Sequence, residues 1–475
     1  MWQRSGGRAL LVLAASASLA GCIGSGEPPG NVLLITVDAL RADHLGCYGY
    51  GRDTSPNIDR LAARSTRFEH ALVQWPKTSP SVVSIMTSTY GRTSGVMRLC
   101  GQRLPDELTV LAEQLRDAGF DTRGIVTNRF LGSDYGFDRG FDQFVEVWQG
   151  NGRDDAEHVT DLAMEWVGDL GLEQPFFVWI HYLDPHAPYT PLPGSQDAFT
   201  DGHGPDEPEL EYSPDHNEIG VVPLHAQIPG PRKTSFYVAR YDEEVRGLDG
   251  EIGRLLDALA AHSLIENTMV VFTADHGESL GDHNYYFEHG RLPYDACLRV
   301  PLLIHVPWLG REAQVVQSPV GLINLAPTIL ASVGLDAPRQ VQGVSMLRLL
   351  RRGRQKLPEH VFAEAGYSHE HQRVVRRGRW KLIEVRDEGD RAVMTGCDFE
   401  LYDIDTDPGE TKNLANQYPD VVDELAHRLS QWIGSTPQAE APAEIPELVS
   451  DDASEALRAL GYAEEAEALE GGGAG

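Results

Sequence analysis

Cationic side chains are scarce in this sequence. It holds 40 Lys and Arg against 71 Asp and Glu, a formal charge of −31. Nucleic-acid binding needs cations clustered against phosphate, so that class of partner is set aside. Cysteine is scarce as well: there are five in 475 residues, with no CxxC pair and no Cys/His spacing that would suggest a zinc–thiolate site. No apolar run reaches the roughly 20 residues that a bilayer-crossing helix needs. No repeat of about 20–50 residues occurs, which excludes solenoid and propeller arrays. What is there is a chain with 41% apolar residues, long enough for one large soluble domain and a smaller one.

The first 22 residues, "MWQRSGGRALLVLAASASLAGC", place Arg4 and Arg8 ahead of an apolar run from about Ala9 to Ala20. That is the pattern of a signal peptide. The run closes on "LAGC", Leu19 to Cys22, which resembles the bacterial lipobox. The resemblance implies cleavage before Cys22 and lipidation of that cysteine. Residues 1–21 then read as a lipoprotein signal peptide and 22–30 as a tether. The expected location is an exported one, on a bacterial membrane facing the periplasm or the cell surface, held there by acyl chains. Export permits disulfides among Cys47, Cys100, Cys297 and Cys397. Four cysteines allow three full pairings, and the sequence does not choose between them.

Four apolar segments read as buried parallel strands: Asn31–Asp38, Thr122–Asn128, Phe176–His186 and Met269–Gly277. Amphipathic segments such as Leu108–Gly119 and Tyr241–His262 lie between them and read as helices. This alternation predicts an α/β domain with a mostly parallel central sheet flanked by helices. Its expected extent is 31–337. Such sheets bind ligands beyond the carboxyl ends of their strands. Three of the strands end in Asp38, in His181 with His186, and in Asp275-His276, so acid–base and metal-capable groups converge on one edge. Pro193–Pro231 is polar and Pro-rich and reads as a surface excursion near that edge. Residues 338–435 read as a smaller C-terminal α+β region, with an antiparallel sheet through Gln372–Val385 and a terminal helix. Residues 436–475 form an acidic, Gly/Ala-rich tail for which partial disorder is expected.

"TSPSVVSIMTS", Thr78 to Ser88, reads as a helix start, with Ser79 as N-cap and Pro80 at the first helical position. A Thr78 hydroxyl just ahead of it lies among free N–H groups at the positive helix end, a place that favours an alkoxide and an incoming oxyanion.

Longer motifs surround this stretch. "NVLLITVDALRADHLGCYGYGRDTSPNIDRLA", "PFFVWIHYLDPHAPYTPL", "FTADHGESLGDHNYYFEHGRLPYDACLRVPLLI" and "ELYDIDTDPGETKNLA" follow in this order. Together they closely resemble the sulfatase family of the alkaline phosphatase superfamily, over about Asn31 to Ser435. The resemblance implies an alkaline phosphatase-like fold, one divalent metal ion and a nucleophile at Thr78. True sulfatases carry there a Cys in C-x-P-x-R, oxidised to formylglycine. Here Thr78 replaces the Cys and Val82 the Arg, so formylglycine cannot form. By the same resemblance, Asp38 matches the first Asp of a metal-binding pair whose second member is here Ala39. Asp275 matches a later metal Asp, and His276 stands where calcium sulfatases usually carry Asn. The implied metal set is Asp38, Thr78, Asp275 and His276. The metal is Mn, Zn, Ca or Mg, and the His276 nitrogen among oxygen ligands favours Mn or Zn. His186 matches a histidine that contacts the substrate oxyanion. His289 falls near the leaving group, and His181 is a further substrate-binding candidate, or a structural one. Asn128 and Phe130 replace a Lys and a His of the family.

The implied function is a metal-dependent hydrolase of sulfate or phosphate esters, phosphodiesters and phosphonates included. Formylglycine's second hydroxyl permits elimination of sulfate, whereas a threonine ester has no such route. A phosphoryl-threonine can still be cleaved by in-line attack, so phosphoryl chemistry is favoured. The alternatives are a transferase moving a phosphoryl-linked head group onto a lipid or glycan, and an inactive binding protein on the same fold. The expected partners are an ester substrate on a lipid or glycan and a membrane through the anchor; no oligomeric state is read from the sequence.

Overall fold

A computed structural model of the chain describes residues 30–149, 155–171, 174–199, 207–213, 219–366, 371–385 and 398–439. The signal segment, Cys22, Cys397 and the tail beyond 439 lie outside the described residues.

The apolar runs form the strands that their composition predicts. Asn31–Val37 (β1), Asp121–Val126, Phe176–Tyr182 and Thr268–Ala274 are parallel, and every residue of the first, third and fourth is buried. Burial of successive residues means that both faces are covered, as in helix-flanked parallel sheets. In chain order the central sheet consists of β1, β2 (Thr66–Phe68), β3 (Asp121–Val126), β4 (Gln143–Glu146), β5 (Phe176–Tyr182), β6 (Thr268–Ala274), β7 (Leu302–His305) and β8 (Gln314–Val316). Their spatial order is β8-β2-β7-β6-β1-β5-β3-β4. The sheet is mixed, since β7 runs antiparallel to both β6 and β2.

Register brings the site together. β1 pairs with β5 from Val32↔Phe177 to Val37↔Tyr182, and with β6 from Asn31↔Thr268 to Val37↔Ala274. The residues after these strands, Asp38 and Asp275, therefore emerge side by side. The expected helices form with shifted bounds, as Leu111–Asp117 and as a 28-residue helix over Thr234–Ala261.

Helix α1 runs from Thr78 to Thr87, with every residue buried. Its start differs from expectation. Lys77 occupies the cap position and Thr78 is already helical. Ser79 is the second residue inside the helix and so does not cap it; its hydroxyl donates to the Phe130 carbonyl at 3.0 Å.

The smaller sheet is antiparallel and four-stranded: Val361–Ala365, Gln372–Arg377, Trp380–Glu384 and Phe399–Asp403. Helix Pro419–Ser435 covers it, with Leu425, Leu429 and Trp432 packed against Val375, Leu382 and Leu401. A buried ion cluster joins this sheet to the larger part: Lys381 Nζ lies 2.6 Å from Asp295 and 2.7 Å from Glu410. Described parts of the 193–231 excursion rest on the segment leading to His289. Gly220 N donates to the Asn284 carbonyl at 2.8 Å, and His225 lies 3.8 Å from Glu288.

Candidate active site

Asp38, Asp275, His276 and Thr78 are all fully buried and meet at the carboxyl edge of the sheet. Asp38 N donates to the Tyr182 carbonyl at 2.9 Å and Asp275 N to the Val37 carbonyl at 3.1 Å, so the ladder extends to the carboxylates. After Asp38 the chain turns sharply through Ala39, whose φ is +56°. That costs a non-glycine residue about 1 kcal/mol. Tyr241 secures the turn, donating to the Ala39 carbonyl at 2.8 Å and accepting from Arg41 N at 2.9 Å.

The His276 Nδ1 donates to the Gly277 carbonyl at 2.9 Å, which turns its Nε2 inward. That nitrogen lies 3.3 Å from Asp38 Oδ1, 3.7 Å from Asp275 Oδ2 and 3.3 Å from Thr78 Oγ1. The Ser81 hydroxyl donates to the Asp275 carbonyl at 2.5 Å, tying the first turn of α1 to the same strand end.

The electrostatics call for a cation. Burial and the neighbouring Asp38 push Asp275 well above the carboxylate range. Burial acts the same way on Asp38, but His186, His181 and His276 more than offset it and hold it far below. Two buried carboxylates this close cannot both stay charged without positive charge between them. Asp38 Oδ1 and Asp275 Oδ2 have no hydrogen-bond partner, and the donor atoms of Asp38, Asp275 and His276 lie within 4.8 Å of one another. Burial and His289 keep His276 well below the ordinary histidine range, so its Nε2 offers a lone pair. This donor set fits a divalent metal ion.

Around it stand three more imidazoles. His289 stacks on His276 with ring centroids 3.9 Å apart, and His186 meets His289 edge-on at 5.1 Å. The His186 Nδ1 donates to the Ala187 carbonyl at 2.7 Å, while its buried Nε2 has no hydrogen-bond partner. His181 sits behind Asp38. Trp179 Nε1 donates to Thr36 Oγ1 at 2.9 Å, Thr36 Oγ1 lies 3.0 Å from His181 Nδ1, and His181 Nε2 lies 3.5 Å from Asp38 Oδ2.

The comparisons with known proteins place the chain in a family. The Sulfatase family profile matches residues 30–335, and that of the N-sulphoglucosamine sulphohydrolase C-terminal region matches 281–434. The chain belongs to the sulfatase family. As a sulfatase-family member it is an ester hydrolase on an alkaline phosphatase-like fold. Among its relatives is an arylsulfatase of Clostridium perfringens, 23% identical, covering 83% of this chain and 92% of the relative. Two solved structures share the fold. The phosphonate monoester hydrolase of Agrobacterium radiobacter has a TM-score of 0.71 and 21% identity, over 86% of this chain and 96% of its own. BT4656, solved with its substrate D-glucosamine-2-N,6-O-disulfate, has a TM-score of 0.70 and 19% identity, over 85% and 97%.

This sulfatase-family site also holds groups that the sequence reading passed over. Asn128, noted only as a lost lysine, donates from Nδ2 to Asp38 Oδ2 at 2.9 Å and approaches Thr78 Oγ1 at 3.5 Å. Lys77 is fully buried beside the site. Its stem uses the space left by Gly290, where a Cβ would lie 2.6 Å from Lys77 Cε, and its charge acts on His289. Glu278 Oε1 lies 3.3 Å from His289 Nδ1, and burial pushes Glu278 up to about 8 against the pull of His186. The available signals were an amide at the end of a strand, a lysine one residue before the threonine, and a Glu in "DHGES". Each gains meaning only from a contact made across the fold.

Proposed function

We propose that this enzyme is a metal-dependent hydrolase that uses Thr78 Oγ1 as nucleophile and prefers phosphate and phosphonate esters over sulfate esters. The observation that carries this reading is the position of Thr78: its Oγ1 is 3.3 Å from His276 Nε2, on the first turn of α1, beside Asp38 and Asp275. Four residues on, where formylglycine sulfatases have their Arg, Val82 is buried and apolar.

Asp38, Asp275, His276 and Thr78 would hold a divalent ion, which would supply positive charge to lower the pKa of the hydroxyl and offset the charge of the ester. The imidazole favours Mn or Zn for that place. The chain's own groups do the rest. Thr78 Oγ1 attacks phosphorus in line with the leaving oxygen; the new O–P bond forms as the old one breaks, and the electron pair leaves with the departing oxygen. The first-turn N–H groups of α1 face the equatorial oxygens, and His186 donates to one of them from Nε2 when both of its ring nitrogens carry protons. His289, which burial and His186 hold well below the ordinary histidine range, takes the Thr78 hydroxyl proton and passes it to the leaving oxygen, a contribution of about 10²–10⁴-fold. Water then attacks the phosphoryl-threonine, giving its proton to His289, which hands it to the departing Thr78 oxygen and so restores the hydroxyl. Of the two roles open to His181, the structural one is adopted: its Nε2, 3.5 Å from Asp38 Oδ2, orients that carboxylate.

One panel tests the reading. Purified protein loaded separately with Mn, Zn, Ca and Mg is offered aryl sulfate, aryl phosphate, phosphodiester and phosphonate. Turnover of a phosphorus ester above the aryl sulfate, highest with Mn or Zn, is expected; sulfate turnover in excess of all phosphorus esters refutes it.

A further inference from the structure

Cations are scarce in this chain, yet at one end they gather without an ion-pair partner among the described residues. Helix Leu347–Arg352 and the turn after it carry Arg348, Arg351, Arg352 and Arg354, all exposed, with no acid among residues 345–356. Arg311, also exposed, donates from Nη1 to the Arg351 carbonyl at 3.1 Å and so brings its segment alongside. Arg64 is exposed on the segment leading into β2, where Thr66 pairs with Ile304 of β7. Among the described residues none of these six arginines forms an ion pair, whereas Arg41, Arg123, Arg139, Arg240, Arg254 and Arg299 all do.

This is also the end at which the chain enters the fold. Gly30 lies against Trp308, where a Cβ would come within 2.3 Å of the ring, and Trp308 leads directly to Arg311. It is the amino end of β1 and β6, since Asn31 pairs with Thr268, while Asp38 and Asp275 mark the opposite edge. From Gly30 to Asp38 the extended chain covers roughly 26 Å at about 3.3 Å per residue.

We propose that this cationic end docks onto the anionic phospholipid headgroups of the membrane that carries the tether, so that the catalytic edge faces away from that membrane toward soluble esters. The proposal rests on the lipoprotein reading of Cys22 for the tether, and on the charge pattern for the docking face. A tether over 22–30 spans about 30 Å at most, even fully extended, so the end where it joins stays near the bilayer. The overall charge of −31 does not prevent docking, because charges farther than about 8 Å from the surface are screened at physiological ionic strength and the local set is cationic. Each arginine held near an anionic leaflet is worth about fivefold in binding.

The test uses the chain from Cys22 onward, made without acyl groups; it contains every described element. Flotation is measured with phosphatidylcholine vesicles, with and without phosphatidylglycerol. Binding is expected only with phosphatidylglycerol, is lost at high salt, and weakens at least tenfold in R348Q/R351Q/R352Q/R354Q. In the bound chain, hydrogen exchange should slow over 305–316 and 345–356 and stay unchanged over 275–290. Equal binding by the fourfold variant, equal binding to neutral vesicles, or slowed exchange at 275–290 overturns the proposal. Capture by a sulfated polysaccharide without vesicle binding also overturns it, in favour of a glycan partner. Fatty-acid labelling of Cys22 in the full chain is read separately: its absence refutes the tether, while the vesicle assay judges the docking face.

Discussion

Replacing Lys381 with Met should destabilise the protein strongly and in a pH-dependent way. The Lys381 ammonium is fully buried and sits 2.6 Å from Asp295 and 2.7 Å from Glu410, where it pins the smaller sheet to the segment after His289. Methionine fills similar space but leaves buried Glu410 without its cation and Asp295 with Arg376 alone, 3.6 Å away. Breaking a buried pair in this way costs about 3–5 kcal/mol. The pH dependence follows from the two acids. Burial raises Asp295, but Lys381 and Arg376 more than offset it and hold it at about 2. Its stabilising contribution is therefore present above its unfolded pKa of about 3.9, and is lost as pH falls toward 2. Burial outweighs Lys381 at Glu410 and lifts it to about 7, so Glu410 opposes folding increasingly as pH rises from its unfolded value toward 7. Without Lys381 both carboxyls move up, and the folded variant must take up protons. Urea denaturation should show a gap to wild type of about 3–5 kcal/mol at pH 7 that narrows markedly at pH 5. The triple variant Lys381→Met, Asp295→Asn, Glu410→Gln should recover at least half of the loss. A gap below about 1 kcal/mol, or one that stays constant between the two pH values, refutes the assignment of a charge cluster to this joint.

Thr78→Ala should abolish nearly all turnover of any verified ester while Thr78→Ser keeps part of it; near-normal turnover in the alanine variant would return Thr78 to a mere helix-start residue. Asp275→Ala and His276→Ala should each lose bound metal in elemental analysis while the far-UV spectrum stays native; full occupancy in both places the ligands elsewhere. Asn128→Leu removes the donor to Asp38 Oδ2 and should weaken metal affinity by about 10–100-fold, read by competition with a chelator. Cys22→Ala should stop fatty-acid labelling and detergent partitioning of the exported protein; continued labelling rules out the lipoprotein reading.

Much of the fold was legible because its signals are local. Runs such as "NVLLITV" and "MVVFTA" combine β-branched residues with full burial, and each ends in a carboxylate or an imidazole that the parallel register must carry to the same edge. The start of α1 was misplaced by two residues for a non-local reason. Ser79 and Pro80 make a good local cap, but the Phe130 carbonyl takes the Ser79 hydroxyl, and the helix begins at Thr78. The antiparallel insertion of β7 was not legible, since "LLIH" reads the same in either direction.

The site divides along the same line. Asp38, Asp275 and His276 could be read because family motifs fix their spacing, whereas Lys77 and Asn128 could not, because each acts through a residue far away in sequence. Their presence changes what the loss of the family's cations means. Reading Asn128 in place of lysine and Val82 in place of arginine suggests a site stripped of positive charge. In the fold, a buried ammonium at Lys77 stands beside His289, and Asn128 holds the Asp38 carboxylate that the loss of lysine would have left bare. The positive charge stands one residue ahead of Thr78, the proposed nucleophile. If Thr78 acts as proposed, the C-x-P-x-R arginine has no use here, but charge is still needed where an anionic ester would meet the threonine hydroxyl, and Lys77 is placed to supply it.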